Sequence, residues 1–321
     1  MNPDRLHVMF GIWDLADRYN QHIGVTITSL ALNCSLPVTV HLLYDENLHT
    51  DSHEYRENQG KYHQLEDMFG VEICYHHIEV PEFVLTHPGT KQWTPAAYLR
   101  LFAPDLLSGL DWVLYLDGDI VVTCDMAEIW NQEWWMENFA VGACIDNNIY
   151  HRDYYQKLGL NLNTYVNSGV LLLNLKMIRE KYTLAEASKK LLSEHPEFPF
   201  PDQDIVNLVF AGDIHYLHEK YNNCILFYPE NEYDDCCIHY ASEKPWRNID
   251  HPASWEYWRY LALSPWGNSH EKYMHSIKLL TFRAPLDERV LTGRIISLRK
   301  FLCNLIRRGL NEARGVKKLR W

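Results

Sequence analysis

Residues 112 to 122 read Trp-Val-Leu-Tyr-Leu-Asp-Gly-Asp-Ile-Val-Val, an apolar, strand-forming run interrupted at its centre by two carboxylates with a single glycine between them. Such a run belongs in a protein interior, and a carboxylate taken there costs on the order of several kcal/mol unless a cation compensates it. Asp117 and Asp119 therefore need a positive partner. The simplest is a metal, because carboxylate oxygens suit hard divalent ions. Apolar residues on both sides, Val113 to Leu116 and Ile120 to Val122, argue against a surface turn. Gly118 is expected to let backbone come close to a ligand and to adopt φ values that other residues resist. A divalent ion held by so few protein oxygens commonly takes phosphates as its remaining ligands.

Strand-like and helix-like stretches alternate around this run, which predicts an α/β chain with a mostly parallel sheet covered by helices. Leu6 to Phe10, Val38 to Tyr44, Val71 to Ile78, Phe139 to Ile145 and Val166 to Leu173 read as further strands. Ile23, Ile27, Leu30 and Ala31 recur at helical spacing after the first, and a polar helix from Ser52 to Phe69 separates the second and third. Thr94-Pro95 supplies an N-cap and a proline suited to the first helical position, so a helix is expected through Leu107. One helix is expected from Leu175 to Glu194, and Asp202 is placed to cap another running through Phe210. After Trp246 the pattern turns to helices rich in Trp, Tyr and Arg. This divides the 321 residues into a main domain, 1 to 246, and a helical region, 247 to 321.

Hydrophobic residues make up 47% of the chain, which excludes a disordered protein. The eight cysteines (34, 74, 124, 144, 224, 236, 237 and 303) form no C-x-x-C pair, as expected of reduced thiols in the cytoplasm. No signal-peptide layout opens the sequence and no run reaches about 18 apolar residues, so neither export by that route nor a membrane span is expected. The net charge of −12 is unevenly placed: residues 294 to 321 carry +8 and the rest −20. Within that tail Ile295, Leu298, Leu302, Leu305 and Ile306 form an apolar stripe at helical spacing, with Arg299, Lys300, Arg307 and Arg308 largely off it. The pattern predicts an interfacial helix that binds an anionic membrane surface. A nucleic-acid partner is not expected.

A third metal ligand must come from elsewhere in the chain. His239 is the candidate, in Cys-Ile-His-Tyr-Ala-Ser-Glu-Lys-Pro-Trp at 237 to 246. Neutral imidazole suits borderline cations such as Mn²⁺, and Lys244 five residues on can reach a phosphate. The segment is thus suited to clamp a metal and a diphosphate together.

Several further segments share an order with a known family. Tyr98-Leu99-Arg100-Leu101, Leu114-Tyr115-Leu116-Asp117-Gly118-Asp119, Gly142-Ala143-Cys144-Ile145-Asp146, Asn167-Ser168-Gly169-Val170 and Asp202-Gln203-Asp204-Ile205-Val206-Asn207 succeed one another along the chain. Over roughly residues 6 to 246 the sequence resembles family-8 retaining glycosyltransferases, which include glycogenin and bacterial lipopolysaccharide galactosyl- and glucosyltransferases.

The resemblance implies a nucleotide-binding fold of the GT-A type, a UDP-hexose donor and Mn²⁺, with Mg²⁺ as an alternative ion. It implies Asp117, Asp119 and His239 at the metal, Asp117 also near ribose, and Lys244 on the diphosphate. Arg100, Asp146, Asn167, Asp202 and Gln203 would surround the transferred sugar, and Asp17 and Tyr19 would lie on the uracil side. Two departures mark this chain. The family often has one residue more between the histidine and the lysine, and the Gly11 to Asp17 stretch is longer than usual, which favours Asp17 over Asp14.

As to chemistry, the resemblance places Gln203 beneath the anomeric carbon. A neutral amide is a poor nucleophile, which favours same-face attack, with the departing phosphate oxygen taking the acceptor proton. Asp204 keeps a covalent route open. The implied activity is transfer of galactose or glucose to a glycan acceptor, lipopolysaccharide or another lipid-linked saccharide, at the cytoplasmic face of the inner membrane. The competing readings are a UDP-sugar hydrolase or phosphoesterase, and a non-catalytic nucleotide-sugar-binding protein at the membrane.

Overall fold

The computed structural model describes residues 4–45, 48, 50–130, 138–146, 152–161, 163–224, 233–241, 243–248 and 251–267. Ten strands are found among them: β1 (Leu6–Ile12), β2 (Val38–Tyr44), β3 (Glu72–His77), β4 (Trp112–Leu116), β5 (Ile120–Val122), β6 (Val141–Ile145), β7 (Val166–Asn174), β8 (Ile214–Tyr216), β9 (Asn223–Cys224) and β10 (Cys237–His239). Seven form the main sheet in the order β3-β2-β1-β4-β7-β6-β8, and β5-β10-β9 form a small second sheet. In the main sheet β7 runs antiparallel to both of its neighbours, and the other pairs are parallel. The α/β class and the mostly parallel sheet expected from the alternation are therefore present.

The central strands are buried on both faces of the sheet, which is why they read as continuous apolar runs, whereas the edge strands β3 and β8 are part-exposed. In β1 and β4, Val8, Phe10, Leu114 and Leu116 join one core, while Met9, Val113 and Tyr115 join another on the opposite face. The first core also contains Tyr257, Tyr260 and Trp266. The helix Ser254–Leu263 lies against the helix Tyr19–Asn33, where Asn33 Nδ2 donates to Tyr260 Oη at 2.7 Å. The chain past residue 247 thus adds to this core as far as it is described. The basic stretch 294 to 321, and Cys303 within it, lie outside the described residues.

Local signals account for some elements and mislead for others. Ser52 Oγ accepts from Tyr55 N at the start of His53–Phe69, and Gly70 closes that helix with φ 66°. The helix expected from Pro95 is instead a 3₁₀ segment, Pro95–Phe102, followed by one α-turn, Ala103–Leu106. At its end Pro104 has no N–H for the Arg100 carbonyl, which Ala103 N reaches instead, so an α-helix cannot run unbroken through Leu107. Thr94, at φ 21°, makes no side-chain cap. The helix expected over 175 to 194 is two, Leu175–Lys181 and Leu184–Glu194, because Tyr182 turns extended (φ −127°, ψ 139°) and its hydroxyl donates to Asp213. Asp202 does not cap its helix either. Phe200 stands at the N-cap of Pro201–Val209, and the Asp202 carboxylate is used elsewhere.

Candidate active site

The acid triplet is the hinge between the two sheets. β4 ends at Leu116, β5 begins at Ile120, and Asp117-Gly118-Asp119 carries the chain from one to the other. Asp117 therefore sits at the carboxyl end of a parallel strand, the usual location of ligand sites in sheets of this type. The carboxyl end of β6 brings Asp146 to the same edge, and antiparallel β7 brings Asn167 and Ser168 from its start.

β10 pairs antiparallel with β5, setting His239 opposite Ile120 and hence beside Asp119. His239 Nε2 lies 3.5 Å from Asp119 Oδ1 and 3.6 Å from Asp117 Oδ2. One ligand atom from each of these three residues falls within 4.8 Å of the other two. Asp119 Oδ1 is buried and has no hydrogen-bond partner among the described residues. An orphaned buried carboxylate oxygen is costly unless a cation completes it, so the residues present fit a divalent ion. Asp119 is almost fully buried, whereas Asp117 keeps a quarter of its side chain exposed, so the cluster opens on the Asp117 side.

The sequence expectation for Gly118 needs revision. Its φ lies outside the positive range, and the space a Cβ would occupy is filled by protein: Ile23 Cγ1 at 2.6 Å and Tyr19 Cε1 at 2.7 Å. Glycine is required here because the helix Tyr19–Asn33 packs directly on the triplet. Thr26 Oγ1 on that helix donates to the Ile120 carbonyl at 2.6 Å, locking the same contact. Burial, followed by the charges of Asp119 and Asp117, holds the Tyr19 phenol well above its ordinary pKa, so it stays protonated. Asp17 is exposed in the preceding turn, where its Oδ1 accepts from Tyr19 N at 3.1 Å.

Lys244 is the cation nearest Asp119. Its ammonium donates to Asp119 Oδ2 and to the Tyr240 carbonyl. Burial pushes the Asp119 carboxyl up, but Lys244 and His239 outweigh it and hold the group well below the usual carboxylate range. The five-residue spacing from His239 thus suffices to return the lysine to the triplet. Trp246 anchors the segment by stacking on His22 with ring centroids 3.6 Å apart, and His22 Nδ1 meets Tyr257 Oη at 2.6 Å. Burial pushes the His22 pKa down to about 3, so this stack contains a neutral imidazole.

A second cluster adjoins Asp117. Arg100 is buried, its NH2 donates to Asp117 Oδ1 at 2.8 Å, and its NH1 lies 3.3 Å from Asp202 Oδ2. The same NH1 donates to the Ser168 carbonyl at 2.5 Å, and the guanidinium lies 4.0 Å over the Tyr115 ring. Tyr115 Oη donates to Asp117 Oδ1 at 2.5 Å. Asp202 Oδ2 accepts from Ser168 Oγ at 2.8 Å, and burial raises its carboxyl pKa. Gln203 Oε1 accepts from Ser168 N at 3.0 Å and its Nε2 donates to Asp146 Oδ2 at 2.9 Å. Arg100, Asp117, Asp146, Asp202 and Gln203 therefore form one hydrogen-bonded set, with Ser168 at its centre.

Asp204 faces elsewhere. Its Oδ1 accepts from Tyr165 at 2.5 Å and its Oδ2 from Tyr154 at 2.7 Å, with the carboxylate wholly buried. Burial pushes its pKa up to about 6. Both oxygens are engaged on the tyrosine side, whereas Gln203, one residue earlier, belongs to the Ser168 set.

Three residues of this neighbourhood escaped the sequence reading. Ser168 and Tyr115 were quoted only as parts of motifs, and Asn222 was not singled out. Asn222 Oδ1 lies 2.8 Å from His239 Nδ1. No spacing rule identifies it, because it reaches His239 across paired β9 and β10.

A family model described as glycosyl transferase family 8 matches residues 12–250. A lipopolysaccharide 1,2-glucosyltransferase of Escherichia coli is 31% identical over 277 residues, covering 80% of this chain and 78% of the relative. A lipopolysaccharide 1,3-galactosyltransferase of Salmonella typhimurium is 25% identical over 293 residues, covering 83% and 81%. Among solved structures, the galactosyltransferase LgtC in complex with donor and acceptor sugar analogs superposes with a TM-score of 0.68 at 21% identity, over 81% of this chain and 96% of that one. With its parallel-strand edge carrying the acids and most of its length matched, this chain belongs to glycosyl transferase family 8.

Proposed function

We propose that this protein is a metal-dependent retaining hexosyltransferase that moves glucose or galactose from a UDP-sugar to a lipopolysaccharide or other lipid-linked saccharide. The observation that carries the metal part is the orphaned Asp119 Oδ1 facing His239 Nε2 at 3.5 Å beside the half-open Asp117. Asp117, Asp119 and His239 would hold the ion, Mn²⁺ by ligand type. When bound, it supplies Lewis-acid stabilisation of charge on the leaving diphosphate.

The chain's own residues supply the rest. Lys244 is a fixed cation at the triplet that can exchange Asp119 for a phosphate oxygen, placing positive charge where negative charge develops. Arg100, pinned by Asp117, Asp202 and the Ser168 carbonyl, holds the edge of a polar pocket whose amides and acids suit sugar hydroxyls. Gln203 is neutral, and its two bonds to Ser168 and Asp146 fix its orientation. With Asp204 turned to Tyr154 and Tyr165, a neutral amide at the pocket supports same-face attack over a covalent intermediate.

The named relatives motivate the acceptor class. The expected site of action is the cytoplasmic face of the inner membrane, with the basic tail of 294 to 321 as the contact to anionic lipid; no helix among the described residues is long and apolar enough to cross a membrane. Product analysis with UDP-glucose and UDP-galactose, with and without a lipopolysaccharide core acceptor, tests the reading. Acceptor-dependent formation of a new glycosidic bond supports it, and sugar released only to water would make the protein a UDP-sugar hydrolase.

A further inference from the structure

We infer that Asn222 is a positioning residue that fixes which nitrogen of His239 faces the metal; this rests on the function proposed above. The chain of donors and acceptors has one solution. Gly169 N is a backbone donor and bonds Asn167 at 2.9 Å, so the Asn167 atom there is the carbonyl oxygen Oδ1. That oxygen also lies 2.8 Å from Asn222, which must therefore present its NH2 group. The other end of the Asn222 amide is then its carbonyl oxygen, an acceptor, and it lies 2.8 Å from His239 Nδ1. Nδ1 must carry the hydrogen.

The consequence is that Nε2, 3.5 Å from Asp119 Oδ1, is the nitrogen with a lone pair to offer a metal. Removing an outer partner that fixes a ligating imidazole in this way typically costs about 10- to 100-fold in metal affinity. Asn222 is 6% exposed, so water cannot easily substitute for its amide. Cys224 Sγ also approaches His239 Nδ1, at 3.4 Å, but a thiol is a poor acceptor beside an amide oxygen. Asn222 thereby ties the metal histidine to Asn167 through one side chain, leaving Asn167 Nδ2 as that amide's remaining donor.

Two variants test this role. In Asn222→Leu both bonds are lost, and Mn²⁺ affinity, read by electron paramagnetic resonance without nucleotide, is expected to fall about 10- to 100-fold. In Asn222→Asp the acceptor for His239 survives, so Mn²⁺ affinity should stay within about threefold of wild type. Wild-type Mn²⁺ affinity in a folded Asn222→Leu protein overturns the inference while leaving the proposed function standing. Failure of the wild type itself to bind Mn²⁺ overturns both. Nitrogen NMR of the cadmium-loaded wild type needs no variant to fold: metal coupling through His239 Nε2 is expected, and coupling through Nδ1 overturns the assignment.

Discussion

Lys244 and Asp119, 125 positions apart in sequence, form an ion pair at the hinge between the two sheets, with the lysine on the oxygen that does not face His239. The pair leaves one carboxylate oxygen for a metal and compensates the other. It also makes the ammonium a competitor of any divalent ion at Asp119. Lys244→Met should therefore tighten Mn²⁺ binding in the absence of nucleotide, while lowering turnover with UDP-hexose about a hundredfold or more through loss of charge on the leaving group. Metal titration and steady-state rates on one preparation would check both signs. A parallel loss of metal binding and turnover would count against the arrangement.

Gly169 offers a second approach to the metal cluster. A Cβ there would stand 2.3 Å from His239 Cε1 and 3.0 Å from Asp117 Oδ2. Gly169→Ala must displace the imidazole, and a ligand moved by such a distance should lose about tenfold or more in Mn²⁺ affinity. The strand would keep its pairing, so the loss should exceed any effect on UDP binding measured without metal.

Gly118→Ala tests the packing of the first helix instead. Its Cβ would intrude on Ile23 and Tyr19, and overpacking of this kind costs about 1–3 kcal/mol. Denaturant unfolding should show a lower midpoint with an unchanged slope. A neutral effect would mean that the helix does not rest on the triplet.

The pH dependence of stability contains a contribution from Asp204. Its native pKa is raised to about 6, from 3.8 for the unperturbed group, chiefly by burial. Between those values the unfolded chain releases the proton while the native protein keeps it, so this carboxyl makes stability fall as pH rises through the window and level off above it. Chemical denaturation from pH 4 to pH 7 should show that decline in wild type and lose it in Asp204→Asn. A decline of equal size in the variant would assign it to other groups.

Much of the sheet was legible because strands buried on both faces leave continuous apolar runs, and Leu6–Ile12 and Trp112–Leu116 are of that kind. The acids were legible because Asp117 and Asp119 are costly where they stand. Helix ends were less so. Pro104 stops an α-helix from running through the end of a segment whose start at Thr94-Pro95 looks like an ordinary helix start, and Tyr182 breaks a helix whose spacing is unbroken. The role of Gly118 was misread because the groups that fill its missing side chain, Tyr19 and Ile23, are about a hundred residues away. Asn222 was invisible for the same reason: its meaning lies in two hydrogen bonds made across strands, and no local pattern records them.

The most direct measurement is UDP release from UDP-glucose and UDP-galactose by wild type and Asp119→Asn, with Mn²⁺ and with a chelator. The account predicts release from at least one donor, abolished by chelation and lowered about a hundredfold or more in Asp119→Asn. Release that persists in chelator, or an Asp119→Asn protein as active as wild type, would contradict it.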